Sequence, residues 1–247
     1  MSTANIEAAV AAWQPYIETI GDWQELVGGL EPKPTGCGPV YEPDNPLPDR
    51  GEESFAIADM RDVFIAEPHY HPNGETEIYF VLTGVGKVVV GGKENPVKPG
   101  SVVVTPPDTA HFTIPEKDLV IAVVNVPSFN PDNYVPVTDT DKEVGFDNEQ
   151  LARLAVEAYR SRGLIAERGS DKPGTVYEPH SHEQTHLYTI AGSLDIKAGD
   201  RPKQTVKAHQ EFVVGGEELH EAVVGPDGWE YVAAWDEDEA KKYEHEG

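Results

Sequence analysis

Apolar positions along this chain fall into two kinds of pattern. Residues 3–14 carry Ile6, Val10 and Trp13 at helical spacing within an Ala-rich stretch, which predicts a helix with one apolar face. From Ser54 onward the pattern changes to short apolar or alternating runs, rich in Val and punctuated by Gly and Pro. They lie at 55–58, 62–66, 78–82, 87–90, 101–105 and 119–124. Runs this short and this regularly spaced predict an all-β sandwich or barrel. Gly91-Gly92 reads as a hairpin tip, and Gly84 and Gly86 read as turns between strands. After Pro127, Pro131 and Pro136 a second helical pattern follows. Asp147 is its N-cap, Leu151, Leu154, Ala155 and Ala158 form its apolar stripe, and Gly163 stands past its end. Strand-like runs then resume at 164–166, 187–190, 193–196, 211–214, 222–224 and 231–235.

Residues 31–50 stand apart. Pro32, Pro34, Pro39, Pro43, Pro46 and Pro48 exclude a regular helix or a central strand there and predict an extended arm. The chain therefore divides into a helix and arm (1–53), a first β domain (54–137), a linker with a helix (138–163) and a second β domain (164–247). Its 247 residues suit two compact domains of roughly 100 residues each.

Charge and composition narrow the function classes. The formal net charge is −25. That argues against nucleic acid or an anionic membrane as partner, since phosphate neutralisation needs clustered Lys and Arg. A solvated acidic surface is the plainer reading, and the tail around Asp236-Glu237-Asp238-Glu239 reads as a solvated end. No stretch approaches the ~20 apolar residues of a membrane span. Nothing in residues 1–14 reads as a secretory signal, so a cytoplasmic protein is expected. The single cysteine, Cys37, excludes an intrachain disulfide and has no second thiol nearby for a thiolate metal site.

Seven of the nine histidines fall into two copies of one arrangement. The first is Glu67-Pro68-His69-Tyr70-His71, then Glu77, then His111. The second is Glu178-Pro179-His180-Ser181-His182, then His186, then His220. The second His of each pair lies 40 residues from the distant His in one half and 38 in the other. In a strand, residues i and i+2 share a face, so each pair can converge on one ion. Three imidazoles with a carboxylate and open positions suit Fe, Mn, Ni, Co or Zn, one or two ions per chain, and the ligand types do not choose among them. Glu75 is the rival carboxylate to Glu77 but follows the turn that Asn73-Gly74 predicts.

On these residues the chain resembles the cupins, specifically two-domain bicupins. The first cupin motif, an HxH pair, a glutamate and a glycine seven residues after it, is matched by His69, His71, Glu77 and Gly84. The leading glycine has no counterpart. The second motif is matched by Gly100, Pro106, Asp108 in place of glycine, and His111, without its trailing asparagine. In the second half His180, His182 and His220 take the histidine places and Gly192 the glycine place. Thr185 falls where Glu77 would be. His186 is the nearby ligand candidate, reaching inward only with a one-residue shift or bulge. His209 stands where a glycine is expected and reads as a surface residue near a turn.

The resemblance implies two tandem jelly-roll barrels, each a double-stranded β-helix, with the metal near one barrel mouth. It implies a metal-dependent enzyme acting on a small molecule, with dioxygenase-type oxidation of a carbonyl or hydroxyl compound the leading expectation. Glu77 is then a ligand and a candidate proton acceptor. A sugar or sugar-acid isomerase is the alternative, and a non-catalytic metal or small-molecule binding bicupin the third. Tyr79 is expected to pack inside the barrel, Arg61 is a candidate anion contact, and self-association through sheet edges is left open.

Overall fold

The structure, a computed structural model, describes residues 3–138 and 141–236. The acidic tail beyond Asp236 lies outside the described residues. Two compact units divide the chain, Met1–Phe146 and Asp147–Gly247.

The first unit opens with α1 (Thr3–Ile17) and the short α2 (Trp23–Leu26). The apolar spacing of α1 buries Ala9, Trp13 and Ile17. Trp13 stacks on Phe55 with ring centroids 5.1 Å apart, and its Nε1 donates to Glu53 Oε2 at 2.6 Å. The Pro-rich arm holds a small hairpin, β1 (Lys33–Thr35) and β2 (Gly38–Tyr41), and β2 pairs with β3 (Ser54–Asp59) at the sheet edge. Prolines are tolerated there because an edge strand leaves one side of its backbone unpaired. Next come β4 (His69–Tyr70), β5 (Thr76–Val90), β6 (Lys93–Val97), β7 (Val102–Thr105), β8 (His111–Val126) and β9 (Val135–Pro136). The antiparallel path runs β1-β2-β3-β8-β4-β9, and β5 pairs with β6, β7 and β8. Alternation splits the apolar side chains between two faces. Ile57, Ile78, Phe80, Val120, Ala122 and Val124 pack with α1. Ala58, Tyr79, Val81, Val88, Leu119 and Ile121 fill the opposite face.

Two sequence expectations fail here for local reasons. Residues 62–66 form no strand, because the chain turns there, with the Val63 N–H donating to the Met60 carbonyl at 3.2 Å. Gly84 ends no strand. It is a bulge at φ +74° inside the continuous β5, where a Cβ would collide with the Asp118 carbonyl. Gly91-Gly92 does form the tight hairpin between β5 and β6, both at positive φ.

The second unit begins with α3 (Asn148–Ser161). Asp147 accepts from the Glu149 backbone N–H at 3.0 Å, and Leu151, Leu154, Ala155 and Ala158 are buried. Its strands are β10 (Leu164–Asp171), β11 (Val176–His180), β12 (Thr185–Ala198), β13 (Gln204–Lys207), β14 (Glu211–Val214) and β15 (His220–Asp236). The antiparallel order is β10-β15-β12-β13, with β11 on β15 and β14 on β12. Gly192 repeats the Gly84 device: at φ +73° its missing Cβ admits the Gly228 carbonyl, and β12 continues through it. Both units are thus curled antiparallel barrels built around one long bulged strand and one long return strand. No described helix is long and apolar enough to cross a membrane.

Candidate metal centre

The first-unit site is assembled from three strand starts. His69 sits in β4 directly opposite His111, the first residue of β8. His71 follows β4, and Asn73 (φ 64°) and Gly74 (φ 83°) turn the chain into β5. Near the start of β5, Glu77 pairs in register with Thr105 on one side and Asn125 on the other. Asp108, also at positive φ, donates its backbone N–H to the His71 carbonyl at 3.0 Å and brings His111 around. The result is a buried group: His69, His71 and His111 are at most 2% exposed and Glu77 7%. Their ligand atoms all lie within 4.8 Å of one another.

The ring orientations are fixed from behind. His69 Nδ1 donates to the Glu67 carbonyl at 2.8 Å, and His111 Nδ1 to the Thr109 carbonyl at 3.0 Å. His71 Nδ1 faces the Glu75 carboxylate at 3.5 Å. The three Nε2 atoms therefore point inward, at 4.0, 3.5 and 2.9 Å from Glu77 Oε2 for His69, His71 and His111. A neutral ring nitrogen aimed at a carboxylate repels it unless a proton or a metal cation lies between them. Both ring nitrogens of His71 are buried without a hydrogen-bond partner. Burial, and then the neighbouring His111, holds His69 well below the usual histidine range. This donor set fits a divalent transition metal.

Sequence reasoning missed most of the surroundings. Glu75, set aside as a ligand, is 1% exposed and serves from behind His71. It accepts from the Asn125 and Asn133 side-chain amides, each at 3.1 Å. Tyr79 does more than pack: its hydroxyl donates to Glu77 Oε2 at 2.7 Å. Tyr134 stacks on His69 at 4.3 Å and donates to Glu67 Oε2 at 2.8 Å. Cys37, at the tip of the arm hairpin, lies 3.8 Å from His69 Nδ1. Burial first, with the Glu77 charge adding to it, pushes the Cys37 thiol far above its ordinary pKa. The preceding Gly36 is required, because a Cβ there would strike Glu67 and Tyr134. No local pattern links the arm to the histidines. The signal lies in the hairpin itself, which pairs onto β3.

A cavity of about 780 Å³ opens beside this cluster. His69, His71, Glu77, Tyr79, Cys37, Asn125 and Tyr134 line it, together with apolar walls from Phe55, Met60, Phe112, Ile121, Val123 and Phe129. Arg61 is not among the lining residues. It forms a bidentate pair with Asp59 at 2.8 and 2.6 Å and lies over Trp23, so the anion-contact expectation fails.

The second unit gathers His180, His182 and His220 into a like cluster, of which only His220 is buried. Their Nδ1 atoms donate to the carbonyls of Glu178, Glu183 and Glu218 at 2.7, 2.6 and 2.9 Å. His186 does not join them. Strand parity turns it to the other face of β12, where Nδ1 lies 3.2 Å from Glu211 Oε1 beside Tyr159 of α3, and no bulge precedes it to reverse that facing. Thr185 occupies the inward register position instead, with Oγ1 3.2 Å from His182 Nδ1. His209 sits at a turn (φ 65°) as read, but is only 7% exposed rather than on the surface.

Fold and site together define a class: paired antiparallel barrels with histidine clusters set at strand starts. Residues 63–126, which contain all four clustered residues of the first unit, match the family described as a cupin domain. The first barrel is thus similar to the cupin domain family. No curated protein matches the chain by sequence. Among solved structures it is similar to Streptomyces Pac13 with uridine, at 13% identity and TM-score 0.39 over 45% of this chain and 87% of that one. It is also similar to the 11S globulin of Wrightia tinctoria, at 13% identity and TM-score 0.33 over 83% and 81%. A structure of DMSP lyases matches at 17% identity and TM-score 0.29 over 31% and 40%. Superpositions this partial carry no argument about function.

Proposed function

We propose that the first barrel is a metal-dependent enzyme site for a small oxygen-bearing molecule, acting as a dioxygenase-type oxidoreductase. One observation carries the reading: a buried three-histidine, one-carboxylate cluster with its ring nitrogens aimed inward at the wall of a largely apolar cavity. His69, His71, Glu77 and His111 would hold the ion. A bound divalent metal supplies Lewis acidity toward substrate oxygens and, as iron, redox chemistry with dioxygen. The chain's own groups do the rest. The carbonyls of Glu67 and Thr109 fix the tautomers of His69 and His111. Tyr79 holds its proton on Glu77 Oε2, and Phe112, Ile121 and Phe129 exclude water from the reacting end. In this reading the His180, His182 and His220 cluster takes a second, more weakly held ion, since no carboxylate joins it among the described residues.

The test is oxygen consumption by the iron-loaded chain against a panel of small apolar carbonyl and hydroxyl compounds. Turnover that needs both iron and dioxygen supports the proposal. Turnover that persists without oxygen supports isomerisation instead, a reading favoured by the two hydroxyl–carboxylate pairs in the cavity, Tyr79–Glu77 and Tyr134–Glu67. Such pairs can relay a proton at a substrate carbon. Deuterium uptake from solvent under anaerobic conditions separates the two.

A further inference from the structure

We propose that Asn125 is a positioning residue that fixes Glu77 to offer one oxygen, Oε2, to the metal. The proposal rests on the metal reading of the first unit. Asn125 lies on β8 directly opposite Glu77 on β5 and is buried. Its side-chain nitrogen donates to Glu77 Oε1 at 3.3 Å and to Glu75 Oε1 at 3.1 Å. A primary amide has two N–H donors at a fixed angle in one plane, so this group spans the two carboxylates and sets their relative position. The reverse orientation would place the amide oxygen against both carboxylates, so the chemistry fixes which way Asn125 faces.

The two oxygens of Glu77 therefore have separate partners. Oε1 is capped by Asn125, while Oε2 meets the Tyr79 hydroxyl at 2.7 Å and His111 Nε2 at 2.9 Å. Glu75 is held in turn, its Oε2 accepting from Asn133 at 3.1 Å while the carboxylate faces His71 Nδ1 at 3.5 Å. One amide thus ties the ligand carboxylate to the carboxylate that orients a ligand histidine. Keeping Glu77 to one oxygen leaves coordination positions open toward the cavity. The second unit lacks the whole device. Its register runs His186 opposite Ala234, which places Thr185 where Glu77 stands, and extending that register by one residue puts Trp235 in the place of Asn125.

The test is Co²⁺ titration of the full chain carrying His182→Ala, so that the first unit alone reports, with and without Asn125→Leu. Affinity and the visible absorption of bound cobalt are both read. The expected result is binding about 10–100-fold weaker, the range for outer partners of metal ligands. A changed absorption band should accompany it as Glu77 turns both oxygens to the ion. A loss of affinity with an unchanged spectrum, or no change in either, overturns the proposal. If the His182→Ala chain with Asn125 intact takes up no Co²⁺, the metal reading beneath it fails as well. Should the leucine variant not fold by circular dichroism, Asn125→Ser is read by the same two criteria.

Discussion

The charge state of the first-unit cluster follows from four side chains. Burial works against a proton on His71, but the Glu77 and Glu75 carboxylates outweigh it and hold the ring above its ordinary value. Burial likewise works against the Glu77 charge, yet His111 and His71 hold it well below the usual carboxylate range. In the metal-free chain a raised histidine stabilises fully below its unfolded value near 6.5, and the gain is lost as pH rises through the higher folded value. A depressed carboxylate stabilises above its unfolded value near 4.5, and the gain is lost as pH falls through the lower folded value. These two groups favour the metal-free fold most between those limits, while His69, held low by burial, costs stability as pH falls below about 6.5. Metal binding requires neutral His71, so it must release a proton within that window. Calorimetric titration at pH 6.5 in buffers of different ionisation enthalpy should show this release, and a binding heat independent of buffer would contradict it.

At the scale of elements, the site depends on the arm hairpin and on α1 holding the sheet beneath it. Trp13→Ala opens a cavity against Phe55 and should destabilise the first unit by roughly 3–5 kcal/mol, read as an earlier denaturant midpoint. Gly36→Ala should leave the barrel folded but displace Tyr134 from His69, measured as altered Tyr fluorescence and weakened metal uptake at the first unit. Which elements the sequence revealed follows from how local their signals are. The α3 cap and stripe are written within one segment, and Asp147, Leu151 and Leu154 are read without knowing the rest of the fold. The histidine pairs were equally legible, because i and i+2 in a strand need no long-range information. Gly84 misled, since glycine at positive φ serves a turn and a bulge alike, and only the facing carbonyl of Asp118 distinguishes them. Asn125, Tyr134 and Cys37 were beyond reach, because each meets the cluster across dozens of residues, whereas Glu75 was weighed as a ligand and only its place behind His71 was not foreseen. His186 was drawn in by residue type and excluded by strand parity.

At the scale of the molecule, two barrels carry clusters of different character. The first pairs three histidines with a buried carboxylate. The second has three histidines, two of them only partly covered, and among the described residues no carboxylate joins them. A net charge of −25 places both within a strongly negative chain. Self-repulsion of that size is screened as the Debye length shrinks from about 30 Å at 0.01 M salt to about 3 Å at 1 M. The thermal midpoint should accordingly rise with sodium chloride, and a midpoint that is flat or falls would contradict a charge-limited stability. The measurement that bears most directly on the whole account is elemental analysis of the untagged chain beside Glu77→Ala and His182→Ala. The account predicts that Glu77→Ala loses the tightly held equivalent of transition metal while His182→Ala keeps it. Unchanged metal content in the Glu77→Ala chain would contradict the first barrel as a metal centre.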